Sequence, residues 1–330
     1  MLILAKAAMA LMLGFVLSLF CGLTIIPLFR KMGYGQSVSK HISKRHLKKE
    51  GTPTMGGFIF IIPVLLSLLF LYFKGSIDIS YNLVIVIFVF CAYGFLGFLD
   101  DYLKIKRKTN EGLSLVTKFL MQMVIALVFF YLFMKGGGDS TLKFTFLNLT
   151  IPLGWTFGLF ILFLLLGTTN AVNISDGLDG LAAGLSAIAF LAYGIIAWNT
   201  GWMEGYEEVA IFSFILVGSL FGFLVFNSHP AKIFMGDLGS LALGGALASI
   251  AIITRHELSL AIIGGVFVIE TLSSIIQIIS IKYFNKKVFL KAPLHHHFEE
   301  LGWPEQDIIK LFWIVGLIAA MAAITYGVWL

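Results

Sequence analysis

The chain has 330 residues, of which 59% are hydrophobic and 12% charged, with a mean hydropathy of +0.96 and a formal net charge of +5. Soluble domains carry roughly 45–50% apolar and 25% charged residues, so a water-soluble globular fold is excluded. A bilayer core about 30 Å thick accepts helices of roughly 20 apolar residues whose backbone groups are satisfied internally, and continuous apolar runs select helices over a barrel.

The pattern predicts an all-α polytopic membrane protein with ten spans, near 3–29, 54–73, 82–99, 117–134, 150–168, 180–198, 208–226, 238–254, 259–281 and 308–330. The first run is too long for a signal peptide and stops at Arg30-Lys31, so it reads as an anchor that stays. No fixed-period repeat, low-complexity tract or long loop divides the chain, and residues 1–330 read as one membrane domain. Cys21 and Cys91 lie inside apolar runs and read as small buried hydrophobes, not as a disulfide or thiol metal site.

Lys and Arg gather in short cytoplasmic loops. Loops 30–53, 100–116, 227–237 and 282–307 hold sixteen of them, against five on the opposite face, so these loops are predicted inside and both termini on the extracytoplasmic side. The positive charge is then an orientation signal suited to anionic lipid headgroups, and no nucleic-acid partner is expected.

In chain order, the first inside loop ends HLKKEGTPTMGGF at 46–58, which lacks the order of a P-loop, so its glycines are weak evidence for a nucleotide. Asp100-Asp101 end the third span, beside Lys104, Lys106, Arg107 and Lys108. A stop-transfer boundary is the plain reading, but paired Asp beside a basic cluster also suits a hard cation or a general base. TTNAVNISDGLDGLAAG at 168–184 supplies Asn170, Asn173, Asp176 and Asp179. The two Asp share a helical face if the next helix starts early, and Ser-Asp is also a plain N-cap signal. Capping explains one Asp, not two Asp and two Asn.

FNSHPAKIFMGDLGSLALGG at 226–245 places Asp237 between glycines, which leaves its carboxylate unhindered, or forms a simple interhelical turn. Glu270 sits well inside the ninth span, near Gly264-Gly265, as part of a broken helix or polar lining, or as a neutral acid bonded to another helix. The last loop carries KAPLHHHFEELGWPEQD at 291–307. Three consecutive imidazoles cannot share one helical face, so phosphate contact or a solvated run is expected in place of a three-His metal site. All of these groups fall on the face chosen from Lys and Arg alone. Several Asp, Asn and His with lysines nearby describe magnesium-assisted phosphoryl transfer, and fit a glycosidase pair less naturally.

GTPTMGG, LDDYLK, NAVNISDGLDGLAAG, FMGDLGSLALGG and APLHHHFEELGW, in that order, closely resemble the phospho-N-acetylmuramoyl-pentapeptide transferase family, within the polyprenyl-phosphate N-acetylhexosamine-1-phosphate transferase superfamily. The resemblance implies ten helices and an active site on cytoplasmic loops of the bacterial cytoplasmic membrane. The implied reaction is the first membrane step of peptidoglycan synthesis: phospho-MurNAc-pentapeptide passes from UDP-MurNAc-pentapeptide to undecaprenyl phosphate, giving lipid I and UMP. It also implies Mg²⁺ on Asp237, with Asp100, Asp101, Asp237, His295 and His296 catalytic. Substrate contacts are implied for Lys49, Thr54, Lys118, Asn173, Asp176, Asp179, Asn227, Phe234 and His297. A sibling UDP-GlcNAc transferase and a secondary transporter are the rival readings, the latter disfavoured because transporter sites lie near the midplane. Oligomeric state is open, with a homodimer among the options.

Overall fold

The computed structural model describes residues 2–34, 51–144, 149–199 and 206–329. Twelve helices and one hairpin follow in order: α1 (Leu2–Met32), α2 (Phe58–Phe73), α3 (Tyr81–Arg107), α4 (Leu115–Lys135), β1 (Thr141–Phe144), β2 (Leu149–Pro152), α5 (Thr156–Ile174), α6 (Leu181–Asn199), α7 (Glu207–Asn227), α8 (Gly236–Ile253), α9 (Ser259–Ile263), α10 (Gly265–Phe284), α11 (Leu294–Glu300) and α12 (Glu305–Trp329). Among the described residues nine helices are long and apolar enough to cross a bilayer, and α2, apolar over 16 residues, accompanies them.

Helix ends follow local chemistry. Ser80 and Ser114 cap α3 and α4 by accepting the backbone N–H groups of Leu83 and Thr117. Lys108 and Asn285 end α3 and α10 in the left-handed region. Burial sorts the helices into layers: α7 and α8 have 83% and 89% of their spanning windows buried, whereas α4 has 17% and α10 28%. The central helix α8 packs against α3 and α5, and α7 against α1 and α6. The perimeter helices turn Leu127, Ile269, Leu272 and Ile276 outward, as a lipid-facing surface requires.

The ninth span is broken at Gly264, between α9 and α10, as one of the two readings of Gly264-Gly265 had it. Three expectations are corrected. The fifth span begins at Thr156, not near 150, because Leu149–Pro152 pairs antiparallel with Thr141–Phe144 as a hairpin. The His run is the short helix α11, not a loop. Cys21 and Cys91 are half-buried free thiols.

The hairpin is tied to the α8–α9 turn by Arg255, whose guanidinium donates to the Thr141 carbonyl and hydroxyl at 2.5 and 2.8 Å and pairs with Asp139 at 3.1 Å. Glu257, 2% exposed, faces the Arg255 Nε at 3.6 Å, and no side chain among the described residues donates a hydrogen bond to its carboxylate. Burial pushes its carboxyl up to about 7, against the pull of its own backbone N–H, Arg255 and Lys143. A raised carboxyl contributes no penalty below its unfolded value of 4.5, and costs stability as pH rises towards about 7. The full cost is about 3 kcal/mol. Glu257→Gln is therefore expected to raise the thermal midpoint in detergent by several degrees at pH 8 and to leave it unchanged at pH 4.5, read from melts of both proteins across that range.

Candidate active site

Asp100 and Asp101 lie on the last turns of α3 and Asp237 in the first turn of α8, and their carboxylate oxygens fall within 4.8 Å of one another. Two glycines permit this approach. Gly97 lets α3 pass so close to α8 that a Cβ there would overlap the Asp237 carbonyl oxygen. Gly236, at φ +75°, leaves room for the Asp101 carboxylate, which accepts the Leu238 N–H at 3.0 Å.

Lysines converge on the cluster. Lys104 donates to Asp237 Oδ2 at 3.0 Å and pairs with Asp100 at 2.6 Å, and Lys118 donates to the same Asp237 oxygen at 2.8 Å. The other Asp237 oxygen accepts the Asn173 amide at 2.7 Å, and that amide also reaches Ser240 Oγ at 2.8 Å. Asp100 is steadied by the Leu113 N–H at 2.8 Å. Three carboxylates offering hard oxygen donors fit a divalent cation of the magnesium type, and two ammonium groups beside them fit phosphate oxygens. Thr54 lines the same place, its hydroxyl 2.9 Å from where a Cβ on Gly236 would stand.

The segment 173–180 links this cluster to two others. Asn173 and Ile174 end α5, and 175–180 is a turn, since α6 begins only at Leu181 after Gly180 at φ +83°, so Asp176 and Asp179 do not share a helical face. Ser175 ends α5 and caps nothing at an N-terminus. Asp176 sits in the turn, half-buried, its N–H donated to the Asn173 carbonyl. Asp179 is 4% exposed and accepts the Ala231 N–H at 3.0 Å, with His229 Nδ1 at 3.1 Å, while its own N–H donates to Glu305 at 2.9 Å. Asp179, His229 and Glu305 form a second group able to hold a metal.

The three histidines separate. His295, 1% exposed, pairs with Glu270 across a Nδ1 to Oε2 distance of 2.8 Å. His296 sets its Nδ1 2.6 Å from Glu299 Oε2. Burial pulls its imidazole below the usual histidine range, Glu299 opposing and His295 and Lys291 adding to the fall. With the Glu299 carboxylate as acceptor, Nδ1 carries a proton. His297 accepts the Leu290 N–H at 3.1 Å and packs edge-on against Phe289, so its Nδ1 braces the loop.

Asn227 is 2% exposed and gives its amide to the Ile233 carbonyl at 2.9 Å, which folds the loop carrying Phe234, while its Oδ1 has no hydrogen-bond partner among the described residues. The Phe234 backbone is held by the segment before α2, its N–H donating to the Pro53 carbonyl and its carbonyl accepting the Gly56 N–H, each at 2.8 Å. Lys49 lies outside the described residues. Residue patterns missed Lys104 as a site member, although its i+4 spacing from Asp100 signals the pairing. They missed Glu299 and Glu305 too, and offered His229 only as one polar residue of the 226–245 segment. Glu299 is signalled by its i+3 spacing from His296, whereas Glu305 reaches Asp179 across 126 positions and leaves no local signal.

Residues 83–255, more than half of the chain, match the family model described as Glycosyl transferase family 4. The chain is 46% identical over 321 residues to the phospho-N-acetylmuramoyl-pentapeptide-transferase of Geobacillus thermodenitrificans, covering 97% of this chain and 98% of that one. It is 49% identical to the same-named protein of Halalkalibacterium halodurans over 98% of both chains, and 46% to that of Bacillus subtilis over 97% of both. The chain belongs to the phospho-N-acetylmuramoyl-pentapeptide transferase family.

Proposed function

We infer that the Asp100–Asp101–Asp237 cluster is the centre at which this chain, as a member of its family, transfers phospho-MurNAc-pentapeptide from UDP-MurNAc-pentapeptide to undecaprenyl phosphate, giving lipid I and UMP. The observation that carries the assignment is the convergence of Asp237, Asp100, Lys104, Lys118 and Asn173 within hydrogen-bond reach at the end of a membrane-crossing helix pair. One substrate is water-soluble and the other is anchored in lipid, so their reacting phosphates meet only at a membrane interface. The loop charges favour the cytoplasmic face, in the bacterial cytoplasmic membrane.

Asp237 would hold Mg²⁺, with Asp100 and Asp101 at its sides; the ion would neutralise diphosphate charge and make UMP a tolerable leaving group. Lys104 and Lys118 orient the phosphates. An oxygen of the lipid phosphate attacks the β-phosphorus, promoted by Asp100, as the bond from that phosphorus to the UMP oxygen breaks. The segment 173–180 and Thr54 hold the nucleotide side, and His296 faces the diphosphate. A two-step route through a phosphorylated Asp is separated from this one by its UMP burst.

The deciding assay measures UMP released from UDP-MurNAc-pentapeptide, with and without undecaprenyl phosphate and with magnesium or a chelator. Release that needs both acceptor and metal is expected. Turnover of UDP-GlcNAc in its place would support the sibling activity, and metal-independent release would remove the cation from the site.

A further inference from the structure

Glu270 lies in the membrane-spanning helix α10 with no solvent exposure, where a carboxylate is costly unless every lone pair is answered. Both of its oxygens go to one residue. Oε1 accepts the backbone N–H of His295 at 3.1 Å, and Oε2 faces that residue's ring Nδ1 at 2.8 Å. The backbone N–H belongs to the first turn of α11 and has no partner within that helix. One proton joins Oε2 to Nδ1, and the imidazole cannot rotate without losing that bond. The other ring nitrogen, Nε2, is buried without a hydrogen-bond partner and lies against Gly177, where a Cβ would overlap it. Gly177 belongs to the turn that carries Asp176 and Asp179 and follows Asn173 at the end of α5. The His295 ring also touches that of His296, their centroids 4.2 Å apart.

We propose that Glu270 is a positioning residue of this transferase: through His295 it sets the α11 histidines against the 173–180 segment and so aligns His296 with the reacting diphosphate. This rests on the placement of the nucleotide at that segment given above. Simple attachment of the loop to α10 does not require the pair, because Gln277 of the same helix already grips the loop by accepting the Val288 and Phe289 N–H groups and donating to the Phe289 carbonyl. The Glu270–His295 contact adds orientation where attachment is already provided.

The test compares Glu270→Gln, His295→Gln and the double variant in full-length protein, reading kcat, KM for each substrate, and UMP bound per chain. Partners that orient an active group are worth on the order of ten- to a hundredfold. The expected result for Glu270→Gln is a kcat lower by roughly tenfold or more with both KM values within about twofold. The double variant should be no slower than the slower single variant, because the two residues act as one unit. Full turnover in Glu270→Gln, multiplying losses in the double variant, or a loss matched by an equal loss of UMP-binding chains would each overturn the proposal. Asp237→Asn run alongside separates the two levels. An active Asp237→Asn protein removes the underlying site assignment, whereas an inactive one beside a fully active Glu270→Gln protein removes this proposal alone.

Discussion

Asp237→Asn is expected to lower turnover by about a thousandfold or more, a loss of about 4 kcal/mol in transition-state stabilisation, while the protein stays folded and extractable. The substitution is nearly isosteric, and its amide oxygen can still accept the Asn173 side chain. It removes the charge that Lys104 and Lys118 both address and the strongest donor for a divalent cation. Asp100 retains Lys104 at 2.6 Å and the Leu113 N–H, so α3 keeps its local bonds and the damage stays in the chemistry. The measurement is UMP release at saturating substrates beside a thermal melt in detergent. Near-normal turnover would end the assignment of Asp237.

Gly97→Val is expected to act through the fold and to be as severe. The group a side chain would strike is the backbone carbonyl of Asp237, and no rotamer change relieves that overlap. Overpacked sites typically cost about 1–3 kcal/mol, and rigid backbone belongs at the upper end. The α3–α8 crossing must open, and the Asp pair then separates from Asp237. We expect the thermal midpoint to fall by roughly 5 °C or more, with turnover lost to the same degree as in Asp237→Asn. A Gly97→Val protein with normal stability and turnover would show that the close crossing is dispensable.

The helical scaffold was legible in the sequence because lipid imposes one rule, an apolar run of sufficient length, and that rule needs no knowledge of partners. It failed where apolar residues serve other ends. Leu149, Ile151 and Pro152 looked like the start of a span, yet they pair as a strand with Thr141–Phe144, a contact that length alone does not reveal. α11 escaped because His and Glu carry no apolar signal. In the site, Asp100, Asp101 and Asp237 stood out as carboxylates at the ends of apolar runs beside glycines. The histidine triplet was visible as a run but not as three roles, because those roles are set by Glu270, Glu299 and the Leu290 N–H. Asn227 had the residue type of a ligand, but its burial and its bond to Ile233 are tertiary facts.

Among the described residues two groups offer themselves to a cation, Asp100–Asp101–Asp237 and Asp179–His229–Glu305, and the proposed mechanism needs the metal in the first. The direct measurement is Mn²⁺ binding by electron paramagnetic resonance in the presence of UDP-MurNAc-pentapeptide, on the unaltered protein and on Asp237→Asn and Asp179→Asn variants. One bound ion per chain is expected, lost in Asp237→Asn and kept in Asp179→Asn. Loss of the ion in Asp179→Asn with retention in Asp237→Asn would contradict the proposed mechanism.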